Sequence, residues 1–169
     1  MTDIAFIMNA QNSYLSPKGS VYLGERAEVL KIRLADWLSD CGMQRVFFRE
    51  KRSIQDSFYR NDVTHSIATT EDFSICPELL KFADVIYDKI RYSAFYETGL
   101  DSFIKREGLR TAVILGLETH TSILFSVEEF RNRGYEVRVI EPCTMSRDDY
   151  LHGWAIAVMQ SCLGAGVGG

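Results

Sequence analysis

The sequence alternates short apolar segments with longer amphipathic ones, and this alternation restricts the possible folds most strongly. Five short segments are continuous or nearly continuous in apolar residues, several of which are β-branched, and polar residues or glycines bound them. Such segments are typical of strands that are buried on both faces of a sheet. The predicted strands cover residues 4–8, 45–48, 85–87, 112–115 and 137–140.

The segments between the predicted strands have the periodicity of helices. In residues 25–41 the apolar positions fall on one stripe, and Gly42 is suited to end this helix. Two shorter helices are expected to stop near Gly108 and Gly134, and a last helix follows the fifth strand. The four apolar stripes consist of Ala27, Leu30, Leu34, Trp37, Leu38 and Cys41; of Leu100, Phe103 and Ile104; of Ile123, Val127 and Phe130; and of Leu151, Trp154, Ala155, Val158 and Cys162.

Strands that alternate with helices predict right-handed crossovers and a parallel sheet covered on both faces. The expected fold class is therefore α/β, with three layers and a mostly parallel sheet of five or six strands. Residues 49–83 are polar and lack a sustained period, so we expect them to cross over the carboxyl ends of the strands. The last six residues, GAGVGG, lack the side chains for a packed element. We expect them to be loose, or to be held only by pairing with another segment.

Length, charge and cysteine content exclude several classes of protein. The 169 residues fit a single domain, which we assign to residues 1–169. The net charge of −4 and the scattered basic residues argue against nucleic acid or an anionic membrane as a partner. The first residues do not resemble a signal peptide, and no apolar run approaches the roughly 20 residues that a membrane span needs. Four widely spaced cysteines favour packed thiols in a cytoplasmic protein.

Ligands of open parallel sheets bind at the carboxyl ends of the strands, so the residues at these ends are the candidates for a site. Asn9 follows the first strand, Lys89 follows the third, and Gly116 permits a sharp turn after the fourth. Ser122 is predicted to open the next helix, whose unpaired N–H groups suit an anion or a developing oxyanion. We therefore expect Asn9, Lys89 and Ser122 to share one cleft.

Three motifs at these strand ends resemble those of the isochorismatase-like cysteine hydrolases. NAQNSY is similar to the first motif of that family, DMQNDF, with Asn9 in the position of the aspartate. DKIRYSAFYETGLDSF is similar to the second motif and places Lys89 in the position of the family's lysine. GLETHTSI is similar to the third motif, GVATNVCV, with Ser122 in the position of the nucleophilic cysteine. Together with RNRGYEVRVIEPC, the resemblance runs over residues 3–160.

The resemblance implies a catalytic group at positions 9, 89 and 122. In the family, the cysteine attacks a carbonyl or imine carbon, while the aspartate and the lysine activate it and move protons. Backbone N–H groups beside a non-proline cis peptide hold the oxyanion; by position this peptide is Leu117–Glu118, and the donors are Glu118 and Ser122. A small-molecule pocket is expected to be lined by Tyr14, Tyr92, Phe95, Thr119 and His120.

Neither a metal nor an organic cofactor is expected. Some nicotinamidase-like relatives bind a metal through an aspartate and histidines after the second strand, where this chain reads FFREKRS. Arg49 and Lys51 would repel a divalent metal there, and His65 alone is a poor site. Of the other candidate groups, Cys143 is the nearest spare thiol, and His152 is expected on the surface. Members of the family commonly form dimers or larger assemblies, which implies a homo-oligomer.

Two functions are compatible with the substituted positions. The first is a hydrolase of a small amide, imine or ester. Without a carboxylate at position 9, burial would depress the pKa of Lys89 and allow it to act as general base for Ser122. The second is a pseudoenzyme that keeps the pocket and the oligomer interface as a binding module. The isochorismate reaction of some relatives needs the aspartate as an acid, which the amide of Asn9 does not replace. A flavodoxin-like nucleotide binder is disfavoured, because NAQNSYLS has no glycine for a phosphate loop.

Overall fold

The computed structural model describes residues 2–59 and 64–169, and within these ranges six parallel strands form one sheet. The strand order is β3-β2-β1-β4-β5-β6, so β1 lies near the middle of the sheet. All five predicted strands are present, and the predicted α/β class with a parallel sheet is confirmed. The strands are β1 (Thr2–Met8), β2 (Gln44–Glu50), β3 (Val85–Lys89), β4 (Leu109–Leu117), β5 (Glu136–Met145) and β6 (Gly166–Gly168).

Helices cover both faces of the sheet, as the apolar runs predict. Along β1, Ile4 and Phe6 belong to the core on one face, while Ala5 and Ile7 belong to the core on the other. Because successive side chains of a strand point to opposite faces, a fully apolar strand serves both cores. Helices α4 (Leu100–Glu107), α5 (Leu124–Asn132) and α6 (Asp149–Ser161) cover the first face, and α1 (Asn12–Leu15), α2 (Glu25–Asp40) and α3 (Pro77–Leu80) cover the second.

The buried side of α6 differs from the predicted stripe. Trp154 is 49% exposed and Cys162 is also exposed, whereas the unpredicted Ile156 and Met159 are buried together with Ala155. The helix is apolar around most of its circumference, and such a pattern does not by itself select the face that packs inward. The buried face of this helix is decided by its neighbours in the fold.

The glycine-rich tail is not loose; it forms the sixth strand. Gly166, Val167 and Gly168 pair in parallel register with Arg138, Val139 and Ile140 of β5. A strand at the edge of a sheet is held by backbone hydrogen bonds, which need no large side chains. Of the two alternatives for this segment, pairing with another segment is the one found.

The described parts of residues 49–83 contain the end of β2, short 3₁₀ turns at Ser57–Tyr59 and Glu71–Phe73, and α3. They border the carboxyl end of the sheet as far as Cys76, whose N–H donates to the Ala10 carbonyl oxygen at 2.9 Å, and α3 then leads back to the start of β3. Gln11, just beyond β1, forms an antiparallel bridge with Ile75, and its Nε2 donates to the Phe73 carbonyl oxygen at 3.0 Å. The segment therefore borders the end of β1, where the candidate residues lie. In the part of the chain that the structure describes, no helix is both long enough and apolar enough to cross a bilayer.

Candidate active site

The three candidate residues meet at one hydroxyl group. Ser122 Oγ accepts hydrogen bonds from Asn9 Nδ2 and from Lys89 Nζ, each at 2.9 Å. All three residues are buried, with exposed fractions of 1% for Asn9 and 0% for Lys89 and Ser122. The other amide atom of Asn9, Oδ1, is buried without a hydrogen-bond partner. A buried acceptor that lacks a partner is unfavourable, so Oδ1 is available to a donor that enters the site.

Backbone geometry places each of these residues. Asn9 follows β1 in a left-handed conformation with φ of 50°, which asparagine tolerates better than most residues. Lys89 is the last residue of β3. Ser122 lies in a five-residue π-helical turn, Thr119–Ile123, that precedes α5, and not at the first residue of the α-helix. Such π turns are rare and are found frequently at functional sites.

The peptide bond between Leu117 and Glu118 is cis, at the position that the resemblance implies. It joins the end of β4 to the turn that carries Ser122. The Glu118 carbonyl oxygen accepts hydrogen bonds from the Thr121 and Ile123 N–H groups at 3.3 and 3.1 Å. These hydrogen bonds fix the turn that carries Ser122 at the end of β4.

Burial lowers the pKa of Lys89 to about 8. The carboxylate of Glu50 opposes this shift, and the charge of Arg52 adds to it. Lys89 Nζ also donates to the Arg91 carbonyl oxygen at 3.2 Å, so the amine is held by one backbone and one side-chain oxygen. A lysine whose pKa is near neutrality exists partly as the free amine, the form that accepts a proton.

Glu50 is a buried carboxylate in this site that the sequence interpretation missed. It is the last residue of β2, it is 1% exposed, and it is the parallel cross-strand partner of Lys89. Burial by itself would raise the pKa of Glu50, but the charges of Lys89, Arg52 and His65 outweigh it and lower that pKa. The burial of Glu50 could have been predicted from the alternation of side chains in the strand, because Glu50 lies two residues after the buried Phe48.

A hydrogen-bonded network extends from Glu50 to Ser13. Tyr14 Oη donates to Glu50 Oε2 at 3.2 Å and lies 3.3 Å from His65 Nε2. On the other side of the imidazole, His65 Nδ1 lies 2.8 Å from Ser66 Oγ, which is 2.9 Å from Ser13 Oγ. Tyr14 is thus a core residue in a buried polar network and not the pocket-lining residue expected from the sequence.

The cation beside Glu50 is not one of the two expected from the sequence. Arg49 pairs with Asp88 at 2.7 Å and stacks on Phe73, and Lys51 is exposed. Arg52 points inward instead, and its Nη2 lies 3.2 Å from Glu50 Oε1. In an extended chain, every second side chain points to the same side. Glu50 and Arg52 therefore lie on one side of the chain, and Arg49 and Lys51 lie on the other.

The described residues at this place do not supply enough ligands for a divalent metal. Among them, Glu50 and His65 offer only two side-chain ligands, and the guanidinium of Arg52 already lies against Glu50 Oε1. Residues 2–59 and 64–169 contain no group of three or more His, Cys, Asp or Glu side chains that would hold an ion. The expectation of no catalytic metal stays a prediction.

A cavity of about 280 Å³ adjoins the turn that carries Ser122. Its polar side contains Glu118, which binds Arg147 with 2.6 Å between Arg147 Nε and Glu118 Oε1. Tyr92 and His120, both expected at the pocket, line this cavity. The remaining lining residues are Phe58, Tyr59 and Thr121.

The other residues expected at the pocket or on the surface have different surroundings. Phe95 is 8% exposed and packs edge to face on Phe130 in the core. Thr119 is fully buried, and its Oγ1 lies 2.9 Å from His152 Nδ1. His152 is partly buried, and this burial lowers its pKa.

Cys143 is a packed thiol and not part of the contacts around Ser122. It belongs to the core that α2 covers, and its Sγ donates to the Arg33 carbonyl oxygen at 3.4 Å. Burial raises the pKa of Cys143 to about 11, which keeps it in the unreactive thiol form.

Comparison with known proteins gives short matches to sequence relatives and full-length matches to solved structures. Ureidoacrylate amidohydrolase RutB of Acinetobacter baylyi is 38% identical over 53 residues, which are 31% of this chain and 22% of that protein. The uncharacterized isochorismatase family protein YaaI of Bacillus subtilis is 28% identical over 81 residues, or 48% of this chain and 45% of that protein. The chain therefore spans less than half the length of these curated relatives.

Two solved structures share the fold over nearly the whole chain. The nicotinamidase/pyrazinamidase PncA from Bacillus subtilis superposes with a TM-score of 0.87 at 22% identity, covering 100% of both chains. The N-carbamoylsarcosine amidase from Thermoplasma acidophilum superposes with a TM-score of 0.82 at 19% identity, covering 99% of this chain and 96% of that one. At such identities the likeness shows the fold alone.

The family itself is shown by the sequence. The model of the family described as the isochorismatase domain matches residues 5–167, a span that contains all three motifs and every residue of the candidate site. With its six-stranded parallel sheet and the convergent ends of β1, β3 and β4, the chain belongs to the isochorismatase domain family.

Proposed function

We propose that this protein hydrolyses a small amide, imine or ester, with Ser122 as the nucleophile and Lys89 as its general base. The observation that carries the proposal is the distance of 2.9 Å between Lys89 Nζ and Ser122 Oγ inside a buried site. A nucleophile and its base must lie within hydrogen-bond reach, at about 2.6–3.2 Å. The resemblance to the family's motifs assigns the same two positions.

The first step needs the neutral form of Lys89. Because the pKa of Lys89 is about 8, the amine is partly neutral in mildly alkaline solution and accepts the Ser122 hydroxyl proton. Ser122 Oγ then forms a bond to the carbonyl carbon, and the carbonyl π electrons move to the oxygen. The donor Asn9 Nδ2, at 2.9 Å, stabilises the negative charge that develops on Oγ as the proton leaves.

The later steps return the protein to its starting state. The backbone N–H groups of Glu118 and Ser122 are the proposed donors to the oxyanion, as in the family. Collapse of the tetrahedral intermediate breaks the bond to the leaving group, which takes its proton from the Lys89 ammonium. Water then attacks the acyl group on Ser122, and Lys89 accepts the proton of that water and returns it to Ser122 Oγ.

The size of the cavity indicates a small substrate. At about 280 Å³ it is slightly smaller than typical ligand sites, which occupy roughly 300–1,000 Å³. Ureidoacrylate amidohydrolase and N-carbamoylsarcosine amidase are named as enzymes that act on amides, which supports a small amide as the first substrate class to test.

A second candidate is a pseudoenzyme that binds a small molecule without converting it. The observation in its favour is the complete burial of Lys89 and Ser122, since a substrate reaches Ser122 Oγ only after covering residues move. In this alternative the ligand stays in the cavity beside Glu118, Tyr59 and Tyr92.

Turnover of a panel of small amides and esters, followed by mass spectrometry, separates the two candidates. We expect Ser122→Ala and Lys89→Met each to lower kcat/KM by at least about a hundredfold. The matched controls are Ser161→Ala and Lys105→Met, which change exposed side chains on α6 and α4 and should leave the rate unchanged. Binding of panel members without turnover in the native protein, or equal turnover in native protein and Ser122→Ala, refutes the hydrolase.

A further inference from the structure

The Glu50–Arg52 pair lies next to Lys89, and the proposed reaction gives it no role. Glu50 and Lys89 end neighbouring parallel strands as cross-strand partners, and the Lys51 N–H donates to the Lys89 carbonyl oxygen at 2.8 Å. This backbone bond fixes the ends of β2 and β3 together. The Glu50 carboxylate and the Lys89 amine are consequently held in the same buried region, with exposed fractions of 1% and 0%.

Both carboxylate oxygens of Glu50 accept hydrogen bonds. Arg52 Nη2 lies 3.2 Å from Oε1, and Tyr14 Oη donates to Oε2 at 3.2 Å. The Gln11 side chain fixes the backbone at the same residue, since its Oε1 accepts from the Glu50 N–H at 2.6 Å and its Nε2 donates to the Glu50 carbonyl oxygen at 3.0 Å. Arg52 is itself 5% exposed and stacks on the ring of Tyr59 at 4.2 Å. Neither member of the pair is free to turn towards solvent.

The charges of Glu50 and Arg52 have opposite effects on the pKa of Lys89. A carboxylate beside a buried lysine favours the ammonium form, and a second cation beside the same carboxylate opposes this effect. Glu50 acts on Lys89 in the first sense and Arg52 in the second. Burial has the largest effect, so loss of Arg52 would raise the pKa of Lys89 in part, and loss of Glu50 would lower it further.

We propose that Glu50 and Arg52 form a positioning pair that keeps both the charged and the neutral form of Lys89 accessible, and so makes Lys89 usable as a base for Ser122. The inference rests on the proposed function, in which Lys89 takes the serine proton. In this scheme the Glu50 carboxylate stabilises the charged form of Lys89, which the neutral amide of Asn9 cannot do. Neither residue of the pair touches the reacting atoms in this scheme.

Other titratable groups in the described part of the chain also face this cluster. Tyr14 contacts both Glu50 and His65, and the Arg52 guanidinium stacks on the ring of Tyr59. Burial raises the pKa of Tyr14 and of Tyr59, so both phenols stay neutral across the range in which Lys89 titrates. His65 interacts with Glu50 electrostatically, and the variant His65→Gln controls for its contribution.

The test measures the pKa of Lys89 directly, by the pH dependence of its ¹³Cε chemical shift in protein labelled at lysine, with the signal assigned from Lys89→Met. We expect Glu50→Gln to lower this pKa by about one unit or more, and Arg52→Met to raise it by a smaller amount. Arg52→Lys keeps the charge and should restore a value near that of the native protein. Tyr14→Phe removes a donor without removing a charge and should shift the pKa by much less than either variant.

The two charge variants move in opposite directions only if the pair sets the charge of Lys89. Shifts of the same sign, or no shift in either variant, overturn the inference, since lost packing would perturb Lys89 without regard to the sign of the charge removed. If neither variant folds, the native protein decides. A midpoint near 8 supports the inference, and a midpoint near the ordinary lysine value of about 10.4 overturns it.

The pH profile of kcat/KM then tests the reaction separately. We expect its alkaline rise to move down in Glu50→Gln and up in Arg52→Met, in step with the measured pKa. Opposite shifts in the chemical-shift titration with no matching change in turnover would support the pair and refute Lys89 as the base. Failure of the inference and failure of the proposed function are thus distinguishable.

Discussion

Gly116 in β4 lies directly against the backbone of Met8 in β1. A Cβ atom at Gly116 would stand 2.2 Å from the Met8 carbonyl oxygen and 2.8 Å from the Met8 nitrogen. Two backbones approach this closely only where one residue has no side chain. Met8 directly precedes Asn9, and Gly116 lies two residues before Glu118. Just beyond this contact, Asn9 Nδ2 donates to Ser122 Oγ at 2.9 Å. The geometry of the candidate site therefore depends on a glycine outside it.

Gly116→Ala should lower the free energy of unfolding by more than about 2 kcal/mol, because β1 must shift and the residue keeps a strained φ of 108°. Urea denaturation measures the change. The matched control is Gly134→Ala, which has a φ of 82° but no atom within 4 Å of the added Cβ. We expect about 1 kcal/mol there, so equal losses in the two variants would contradict a role for the close approach.

Lys89 should make the stability depend on pH in a predictable direction. Its pKa is lowered from 10.5 in the unfolded chain to about 8, so folding disfavours the charged form. The unfolded state then binds more protons between these values, and this destabilisation is fully present below pH 8 and disappears as the pH rises through 10.5. At pH 7 it amounts to about 3 kcal/mol. We expect native protein to gain about 2 kcal/mol relative to Lys89→Met between pH 7 and 9.5, as measured by urea denaturation at each pH. If the free energy of unfolding changed equally with pH in native protein and in Lys89→Met, the pKa of Lys89 would not be lowered by folding.

Alkylation of thiols should leave any hydrolysis intact, because the proposed nucleophile is a hydroxyl. Iodoacetamide near neutral pH should modify the exposed Cys162 and spare Cys76 and Cys143, whose pKa values burial raises to about 12 and about 11. Peptide mass spectrometry identifies the modified residues, and the hydrolysis assay follows in the same sample. Loss of activity on alkylation, together with an inactive Cys143→Ser variant, would instead identify a displaced thiol nucleophile.

Asn9→Asp combined with Ser122→Cys should create a reactive thiol in the site. The carboxylate takes the proton of the thiol, and neither group has a partner without the other, so each single variant should react much more slowly. Groups that act as one unit are strongly non-additive. Labelling by a small electrophile near neutral pH reports the thiolate. Slow labelling in the double variant would show that this pocket does not preserve the geometry of the cysteine hydrolases.

The fold was largely predictable from the sequence, because buried parallel strands have a strong local signature. The five apolar runs all became strands, and the stripes in α2, α4 and α5 face the core through Leu34, Phe103 and Val127. The sequence left the sixth strand as one of two alternatives, since GAGVGG has no pattern of its own and is held by β5. The orientation of α6 was missed because its sequence is apolar on most sides.

The sequence by itself determined which residues stand at the carboxyl ends of β1, β3 and β4, because strand boundaries and motifs are local. It therefore identified Asn9, Lys89 and Ser122 as candidates. Only the tertiary structure decided that Ser122 Oγ accepts from both of the others, and that Glu50 and Arg52 lie beside them. The physical reason is that the charge of a buried group depends on neighbours from other strands. Glu50 and Lys89 are 39 positions apart in the chain and adjacent in the sheet.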